Sequence, residues 1–337
     1  MRSSKASLFH KFFSHIYIER DILHHDRTQE ILRRFPRSKQ IVIEHYKDVF
    51  NRKKQNYRLQ KMSPKLILAE RKEHFFYPGS FLCQDFGNTH FYYTTLAMGC
   101  IFDCEYCYLQ GMHPSGNIVF FVNLEDYFHE IKRILKKHPL FLSVSYDTDL
   151  LTFERYLQYG KGWIEFANEH PNLTLELRTK SNLIPLSVKP KENTILAFTL
   201  SPRQVIEKYE KRAPGLDYRL HEVKRAIDAG FQVRLCFDPI LYFDGWQGCY
   251  EELMEEVFSA VDPKTIRDVS GGVFRVAKDF LKTYRKNNPE SEIAYYPYDL
   301  RQGEYTYEKR VEDFIKERIR DQLLTYLPHE KIYLWGD

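Results

Sequence analysis

Short apolar runs recur along the chain from residue 91 onward, and segments with helical periodicity separate them. Most runs lack strict alternation of apolar and polar residues, which is typical of strands buried on both faces of a sheet. The predicted strands are Phe91–Met98, Ile118–Val122, Leu140–Ser145, Leu173–Leu177, Ile195–Leu200, Phe231–Phe237 and Val269–Phe274. The predicted helices are Leu124–Lys137, Phe153–Ala167, Leu220–Ala229 and Tyr250–Ala260. This alternation indicates repeated βαβ units around a parallel sheet, as in an open or closed α/β barrel that binds ligands at the carboxyl ends of its strands.

The segments on either side of this region follow other patterns. Residues 1–90 mix short helical patterns with apolar runs and include a predicted basic loop at residues 51–58. After residue 278 we predict a Lys-rich helix, an aromatic hairpin over Tyr295–Tyr307 with Gly303 at its turn, and a helix over Glu312–Tyr326. We therefore expect three parts: a basic N-terminal extension packed on the barrel (1–90), the barrel (91–277), and a C-terminal helix and hairpin (278–337).

Composition is that of a folded, water-soluble protein. The 337 residues are 43% apolar and 15% aromatic, and no apolar run reaches the length of roughly 18 residues that a membrane span needs. We expect a cytoplasmic protein without membrane association. The net charge is +4, but residues 1–72 hold 18 Lys and Arg against 7 Asp and Glu. This basic segment is either a footprint for DNA or RNA or a set of solvated helical faces.

The spacing of the cysteines is the strongest chemical signal. Six are present, and three of them form a C-x3-C-x2-C motif at Cys100, Cys104 and Cys107, directly after a predicted strand. Three thiolates on one loop can bind three irons of a 4Fe–4S cluster and leave the fourth iron open to an outside ligand. In this chemistry the outside ligand is the amino and carboxylate group of S-adenosylmethionine, whose reductive cleavage yields a 5′-deoxyadenosyl radical.

Two other metal sites remain as alternatives. A zinc site would take His113 as a fourth ligand, although zinc usually uses two separate cysteine pairs. An electron-transfer cluster would normally require four cysteines. The aromatic residue before the last cysteine, Tyr106, favours radical chemistry over these two alternatives. No GxGxxG motif follows a strand and no Walker-type loop is present, so a nicotinamide or ATP site has no support.

The chain resembles the radical SAM superfamily and, more narrowly, the spore photoproduct lyase family. The blocks that carry the resemblance are Ala97–Gln110, Ser145–Asp149, Arg178–Ser181, Phe198–Pro202, Val205–Glu210 and Phe237–Ile240. The family implies a partial (β/α)6 barrel and a radical carbon–carbon lyase that repairs the thymine dimer of irradiated spore DNA. In that reaction the adenosyl radical removes a hydrogen from C6 of the lesion, and the product radical must regain a hydrogen.

The resemblance also implies roles for individual residues. The three cysteines match the cluster ligands, and Tyr106 and Tyr108 match tyrosines that relay a radical, unless they only pack around the loop. Residues that match cofactor contacts are Lys180 for the carboxylate, Thr148 near the same end, Thr199 and Ser201 for the ribose, and Asp238 for the adenine. The alternative for each of these is a polar residue at the barrel rim.

One position departs from the family. Well-studied members carry a cysteine that returns the hydrogen, and Tyr146 occupies its place here. Cys83 is our candidate for a relocated donor, because a thiol S–H bond is weak and the residue precedes the first barrel strand. Cys236 is the second candidate. Both are otherwise buried core cysteines, which are common.

A lesion inside a duplex must be extruded before a buried radical can reach it. Arg301, Tyr305 and Tyr307 of the predicted hairpin are candidate DNA contacts, since aromatic side chains stack on bases and Arg binds phosphate. The alternative is a hairpin whose tyrosines pack on the barrel. The lysines at 282 and 286 and the loop at 52–58 are further candidate phosphate contacts.

The expected partners are double-stranded DNA with a thymine dimer and an electron donor, either a reductase or a ferredoxin or flavodoxin. We expect a monomer in the spore cytoplasm. Two other functions remain open: a radical SAM enzyme with a different substrate, and a nucleic-acid-binding protein whose metal site is structural.

Overall fold

The apolar runs form the strands of three sheets in the computed structural model, which describes residues 13–79 and 84–336. The strands are β1 (His15–Glu19), β2 (Lys39–Ile43), β3 (Leu66–Ala69), β4 (Phe76–Pro78), β5 (Phe91–Thr94), β6 (Ala97–Met98), β7 (Ile118–Phe121), β8 (Leu140–Ser143), β9 (Leu173–Thr179), β10 (Thr194–Thr199), β11 (Gln232–Ile240), β12 (Asp268–Val273), β13 (Arg275–Ala277), β14 (Asp299–Arg301), β15 (Glu304–Thr306) and β16 (Ile332–Leu334).

Helices connect most of these strands. They are α1 (Asp26–Arg34), α2 (Tyr46–Phe50), α3 (Tyr57–Met62), α4 (Leu109–Met112), α5 (Leu124–Leu135), α6 (Glu154–Leu157), α7 (Tyr159–Glu169), α8 (Arg203–Tyr209), α9 (Leu216–Asp228), α10 (Trp246–Ala260), α11 (Lys278–Asn287), α12 (Glu292–Tyr295) and α13 (Lys309–Leu324). No helix in the described parts of the chain is both long and apolar enough to cross a bilayer.

The largest sheet is the predicted barrel. Its order is β16-β12-β11-β10-β9-β8-β5-β4, and the six strands from β5 to β12 in this sheet are parallel neighbours. Strands β9, β10 and β12 are almost entirely buried, which explains their continuous apolar runs. The α/β fold with a partial (β/α)6 barrel is therefore confirmed.

The second sheet corrects two of the predicted strands. Its order is β2-β1-β3-β7-β6. The run at 118–122 does form β7, but β7 pairs with β3 and β6 and lies outside the barrel sheet. The single strand predicted over 91–98 is wrong, because this segment splits into β5 of the barrel and β6 of the second sheet. The pairing of β7 depends on the buried N-terminal strand β3. Periodicity alone did not identify β3 as a strand.

The helix predicted at 153–167 is also interrupted. A 3₁₀ segment (Leu150–Phe153) and α6 precede a break at Gln158, which has a left-handed φ of 53°. Helix α7 begins after the break, and the Glu154 carboxylate accepts hydrogen bonds from the backbone N–H groups of Gly160 and Lys161 at 2.7 and 2.8 Å. A carboxylate at a helix N-terminus satisfies otherwise unpaired donors, which favours the break.

The C-terminal hairpin is confirmed, but it is shorter than the predicted Tyr295–Tyr307, because Tyr295 belongs to helix α12 and the hairpin begins at Asp299. Strands β14 and β15 are antiparallel, and β15 also pairs with β13. Gln302 and Gly303 at the turn have positive φ values of 48° and 87°, as the tightest hairpin turns require. This three-stranded sheet places Glu304 and residues 275–277 at one wall of the cavity described next. The division of the chain near residues 90 and 277 stays a prediction.

Candidate active site

A cavity of about 490 Å³ lies at the carboxyl ends of the barrel strands. The lining residues that the structure describes begin at Gln84, so none belongs to residues 13–79. Each of the six parallel barrel strands contributes residues to the lining of the cavity. The polar lining residues on or directly after these strands are Ser143, Ser145, Glu176, Arg178, Lys180, Thr199, Asp238 and Ser270. Parallel strands place their carboxyl ends on one edge, which brings these sequence-distant residues together.

The three motif cysteines lie on the loop between β6 and α4, beside this cavity. Cys107 lines the cavity, and Cys104 is buried. The loop begins at Gly99, whose φ is 80° and where a Cβ would lie 2.6 Å from the backbone oxygen of Asn117. The Gln110 side chain donates to the backbone oxygen of Cys104 at 2.7 Å, which holds the loop in shape.

Burial raises the pKa of all three thiols, to about 11 for Cys100, 12 for Cys104 and 11 for Cys107. Lys180 opposes the shift at Cys104, since its Nζ lies 3.8 Å from that sulfur. Among the described residues, no three His, Cys, Asp or Glu side chains are placed to hold a single metal ion. A 4Fe–4S cluster presents a separate iron to each thiolate, so its ligands need not converge on one ion. Three thiols on one short loop beside a cavity fit such a cluster.

Lys180 belongs to a buried network that the sequence did not reveal. Its ammonium donates to the Tyr106 hydroxyl at 2.5 Å and lies 3.4 Å from the Glu210 carboxylate. The Tyr106 hydroxyl donates to Glu210, and Arg219 pairs with the same carboxylate. Burial disfavours the charged form of Glu210, but Arg219 and Lys180 outweigh burial and lower its pKa to about 2. The network fixes the Lys180 head group beside the cysteine loop.

Glu210 and Arg219 are the residues that sequence reasoning missed. Glu210 closes one of the blocks that resemble the family, and this was the available signal. Both side chains are fully buried. Ser201, expected at the ribose, instead donates to Glu210 at 2.9 Å and is not among the cavity-lining residues.

The segment after β8 anchors the next strand. Asp149 accepts hydrogen bonds from the Thr179 hydroxyl at 2.7 Å and from the backbone N–H of Lys180 at 2.6 Å. Thr148 is buried, its hydroxyl has no hydrogen-bond partner among the described residues, and it does not line the cavity. Asp149 therefore positions the backbone that carries Lys180.

Asp238 and Thr199 both line the cavity, as expected of cofactor contacts. The Asp238 carboxylate lies 3.4 Å from the Arg275 guanidinium and 3.8 Å from that of Arg178. Arg275 in turn lies over the Trp335 ring, 4.7 Å from its centroid. This wall presents both charges and hydrogen-bonding groups to a polar ligand.

Tyrosines form the wall nearest the cysteines. Tyr146, which we predicted to align with the family's cysteine, lines the cavity and stacks on Tyr93 with centroids 4.0 Å apart. The Tyr108 hydroxyl donates to the backbone oxygen of Tyr146 at 2.8 Å. Cys236 is fully buried and does not line the cavity. Cys83 lies outside the described residues, while its neighbour Gln84 lines the cavity.

The hairpin residues differ in their surroundings. Tyr307 is only 2% exposed, and its hydroxyl accepts a hydrogen bond from the backbone N–H of Tyr242 at 2.9 Å. Arg301 pairs with Glu312 and donates to the backbone oxygen of Tyr307 at 2.8 Å. Tyr305 is half-buried. The placement of Tyr307 therefore corresponds to the packing alternative.

His113, the alternative zinc ligand, lies in the core. Its ring packs edge-on against Phe50 with centroids 5.4 Å apart. Burial lowers its pKa to about 4, and its Nε2 atom has no hydrogen-bond partner among the described residues. These contacts are those of a core histidine.

The family model and the sequence relatives that match this chain belong to one family. A family model described as spore photoproduct lyase matches residues 13–335. The spore photoproduct lyase of Bacillus subtilis is 25% identical over 256 residues, which are 72% of this chain and 75% of that protein. That of a Geobacillus species is 24% identical over 260 residues, again 72% of this chain and 75% of that protein.

Solved structures share the fold. A spore photoproduct lyase complexed with dinucleoside spore photoproduct superposes with a TM-score of 0.83 at 20% identity, over 96% of this chain and 98% of that chain. A double mutant with bound AdoMet and the same dinucleoside has a TM-score of 0.82 at 21% identity, with the same coverage.

Proposed function

Since the chain belongs to the spore photoproduct lyase family, we propose that it is a DNA repair lyase that reverts the spore photoproduct, 5-thyminyl-5,6-dihydrothymine, to two thymines. The observation that carries the proposal is the cysteine loop beside a 490 Å³ cavity at the carboxyl ends of a partial barrel. A bound dinucleoside in a relative of the same fold supports the substrate class.

With a 4Fe–4S cluster and S-adenosylmethionine bound, the site would have the radical chemistry needed to remove the C6 hydrogen of the lesion. Cys100, Cys104 and Cys107 would hold the cluster. Lys180 would meet the cofactor's carboxylate as a point charge, because the Tyr106 and Glu210 contacts fix its ammonium beside the loop.

The other cofactor contacts follow from the same cavity. Thr199 and Asp238 line it and would meet the ribose and the adenine. Thr148 and Ser201 stay proposed contacts: the buried Thr148 hydroxyl has no hydrogen-bond partner in the described part of the chain, whereas the hydroxyl of Ser201 donates to Glu210. Their support is the family resemblance more than cavity access.

Return of the hydrogen requires a donor other than the family's cysteine. We assign this role to Cys83, because its neighbour Gln84 lines the cavity, whereas the thiol of Cys236 is fully buried and does not line it. Tyr106 and Tyr108 would relay the radical after the thiol has reacted; Tyr108 contacts the Tyr146 backbone, and both tyrosines line the cavity.

Double-stranded DNA that carries the lesion is the proposed partner, and the protein would act as a monomer in the spore cytoplasm. Extrusion of the dinucleotide costs a few kcal/mol, which protein contacts must offset. Tyr305 and Arg301 of the hairpin are proposed DNA contacts. Tyr307 would act through packing of the hairpin, since it is buried.

The test uses anaerobically reconstituted, dithionite-reduced protein with S-adenosylmethionine and a synthetic spore-photoproduct dinucleotide. Thymidylyl-thymidine and 5′-deoxyadenosine are quantified for wild type, Cys83→Ala and the control Cys249→Ala, whose thiol contacts Gln204 on the outer helices. We expect repair in wild type and in the control. In Cys83→Ala, repair should fall at least about tenfold, or divert to side products, while deoxyadenosine still forms.

Each result has a distinct meaning. Unchanged repair in Cys83→Ala would keep the lyase function and remove Cys83 as the donor. Deoxyadenosine without repair in wild type would favour the second candidate function, a radical SAM enzyme with another substrate. Tyr146 in the place of the usual cysteine is the observation that supports this second candidate. A colourless, zinc-loaded protein would point to a nucleic-acid-binding protein with a structural metal.

A further inference from the structure

The short helix α3 packs against the cysteine loop. On its inner face Tyr57 and Lys61 are buried, and the Lys61 ammonium donates to the backbone oxygen of Cys100. The Gln60 side chain accepts a hydrogen bond from the backbone N–H of Gly116 at 2.9 Å, which ties the helix to the segment after the loop. A helix with its side chains is about 10–12 Å across, so a protein docked on the outer face of α3 would lie within roughly that distance of the loop.

The outer face of α3 is apolar and exposed. Leu59 is 62% exposed and Met62 is 65% exposed, the largest exposures among the large hydrophobic residues that the structure describes. Isolated exposed apolar residues are common, but two on the same helix face form the centre of a patch. The surface consisting of Leu59, Met62 and their basic neighbours is called the α3 face below.

The rim of the α3 face is basic. Residues 51–65 contain six Lys or Arg and no Asp or Glu. Arg52, Lys53, Lys54 and Arg58 are exposed. Lys211, whose side chain is 57% exposed, lies 3.6 Å from Glu105 of the cysteine loop and adds a further cation near the same loop. An acidic protein surface would complement this rim.

The α3 face does not belong to the substrate cavity. No described residue before Gln84 lines the cavity, so a ligand on α3 and a lesion in the barrel occupy different surfaces. Nucleic acid contacts consist largely of charged and polar groups facing phosphates. An apolar centre with a basic rim instead corresponds to the anatomy of a protein–protein interface.

We propose that the α3 face is the docking site of a small acidic electron-carrier protein, such as a flavodoxin or a ferredoxin. This proposal rests on the proposed function, because that reaction requires a one-electron donor. The carrier loses one electron and the cluster on the cysteine loop gains it, and no bond forms or breaks. Weak electron-transfer complexes bury less than about 1,200 Å², an area that a single exposed helix with a basic rim can supply.

The test compares Leu59→Asp/Met62→Asp with the control Leu324→Asp, which alters an equally apolar, 44% exposed residue on α13. Binding of a bacterial flavodoxin is measured by calorimetry on the protein with and without its cluster. Deoxyadenosine formation is then driven either by flavodoxin hydroquinone or by dithionite. A lesion-containing duplex is titrated in parallel.

We expect the double variant to weaken flavodoxin binding at least about tenfold and to slow flavodoxin-driven turnover by a similar factor. Dithionite-driven turnover and duplex affinity should stay unchanged, and the control should behave as wild type. Flavodoxin affinity of the wild type should also fall as salt is raised, since salt screens exposed charges.

Four results would overturn the proposal. The first is binding of flavodoxin by the double variant with the affinity of wild type, and the second is a failure of wild type to bind flavodoxin. Loss of duplex affinity in the double variant would identify a DNA surface. Loss of dithionite-driven turnover with normal unfolding would show that α3 shapes the cysteine loop. Failure of repair in dithionite-reduced wild type would instead count against the proposed function itself.

Discussion

The Lys180 ammonium lies 2.5 Å from the Tyr106 hydroxyl oxygen, and the Glu210 carboxylate lies 3.4 Å from the same ammonium. These residues are far apart in the chain. Lys180 lies 74 positions after Tyr106, and Glu210 lies 104 positions after it. The carboxylate balances two buried cations, Lys180 and Arg219. The site therefore depends on one acidic residue that does not itself line the cavity.

Glu210→Gln should destabilise the protein by about 3–5 kcal/mol, because it leaves Arg219 buried without a counter-charge. The measurement is urea unfolding at neutral pH. Ser201→Ala is the matched control, since it removes only one hydrogen bond to the same carboxylate and should cost about 1 kcal/mol. Equal effects of the two variants would contradict a structural role for the charge of Glu210.

Lys180→Met should weaken S-adenosylmethionine binding by roughly 10–100-fold, because a charged hydrogen bond contributes about 1.5–3 kcal/mol. Equilibrium dialysis with the reconstituted protein measures the dissociation constant. The control is Lys161→Met, which removes a lysine paired with Glu165 on the surface of α7. Unchanged affinity in Lys180→Met would show that another group binds the carboxylate.

His113→Phe should make stability less sensitive to acid. Burial disfavours the charged ring and lowers the pKa of His113 in the folded chain to about 4, from an ordinary value of 6.5. The unfolded chain therefore binds more protons between these values, and wild-type stability falls as pH drops from about 6.5 towards 4. Between pH 8 and pH 4 the free energy of unfolding should therefore fall by roughly 2–3 kcal/mol less in the variant than in the wild type.

Urea titrations at several pH values test this, with wild type and variant compared at each pH. The free energies of unfolding of the two proteins should differ little at pH 8, where the imidazole is neutral in both the folded and the unfolded chain. Parallel pH profiles for the two proteins would show that another group controls acid stability.

Cys107→Ala should lower the iron content of anaerobically reconstituted protein well below about four per chain, because a cluster ligand is lost. Cys236→Ala is the control, since that thiol is fully buried and does not line the cavity. Iron analysis and the visible absorption of the cluster report the outcome. Full iron content in Cys107→Ala would exclude this thiol as a ligand.

The two hairpin tyrosines should separate into different roles. Tyr305→Ala should weaken binding of a lesion-containing duplex by about 1–3 kcal/mol if its ring stacks on a base. Tyr307→Phe should leave binding unchanged and cost about 1 kcal/mol of stability, because it removes the hydrogen bond from the Tyr242 backbone. Fluorescence anisotropy and urea unfolding measure the two quantities. Weaker duplex binding in Tyr307→Phe together with normal binding in Tyr305→Ala would contradict these roles.

The sequence alone determined the features that depend on local order. The C-x3-C-x2-C spacing places three thiols on one loop, and Gly303 permits the tight turn of the hairpin. Alternating apolar runs and helical patterns predicted the parallel barrel, because strand and helix periods are local properties of the chain.

Only the tertiary structure decided which partners these segments take. Strand β7 joined the second sheet because β3 offers a buried parallel edge, and neither strand's own pattern specifies that choice. Glu210 and Arg219 became a buried pair, and Tyr307 became a core residue, through contacts between distant segments. Burial and charge pairing depend on the packing of the whole chain, so residue type and spacing could place the cysteines but not the network that holds Lys180 beside them.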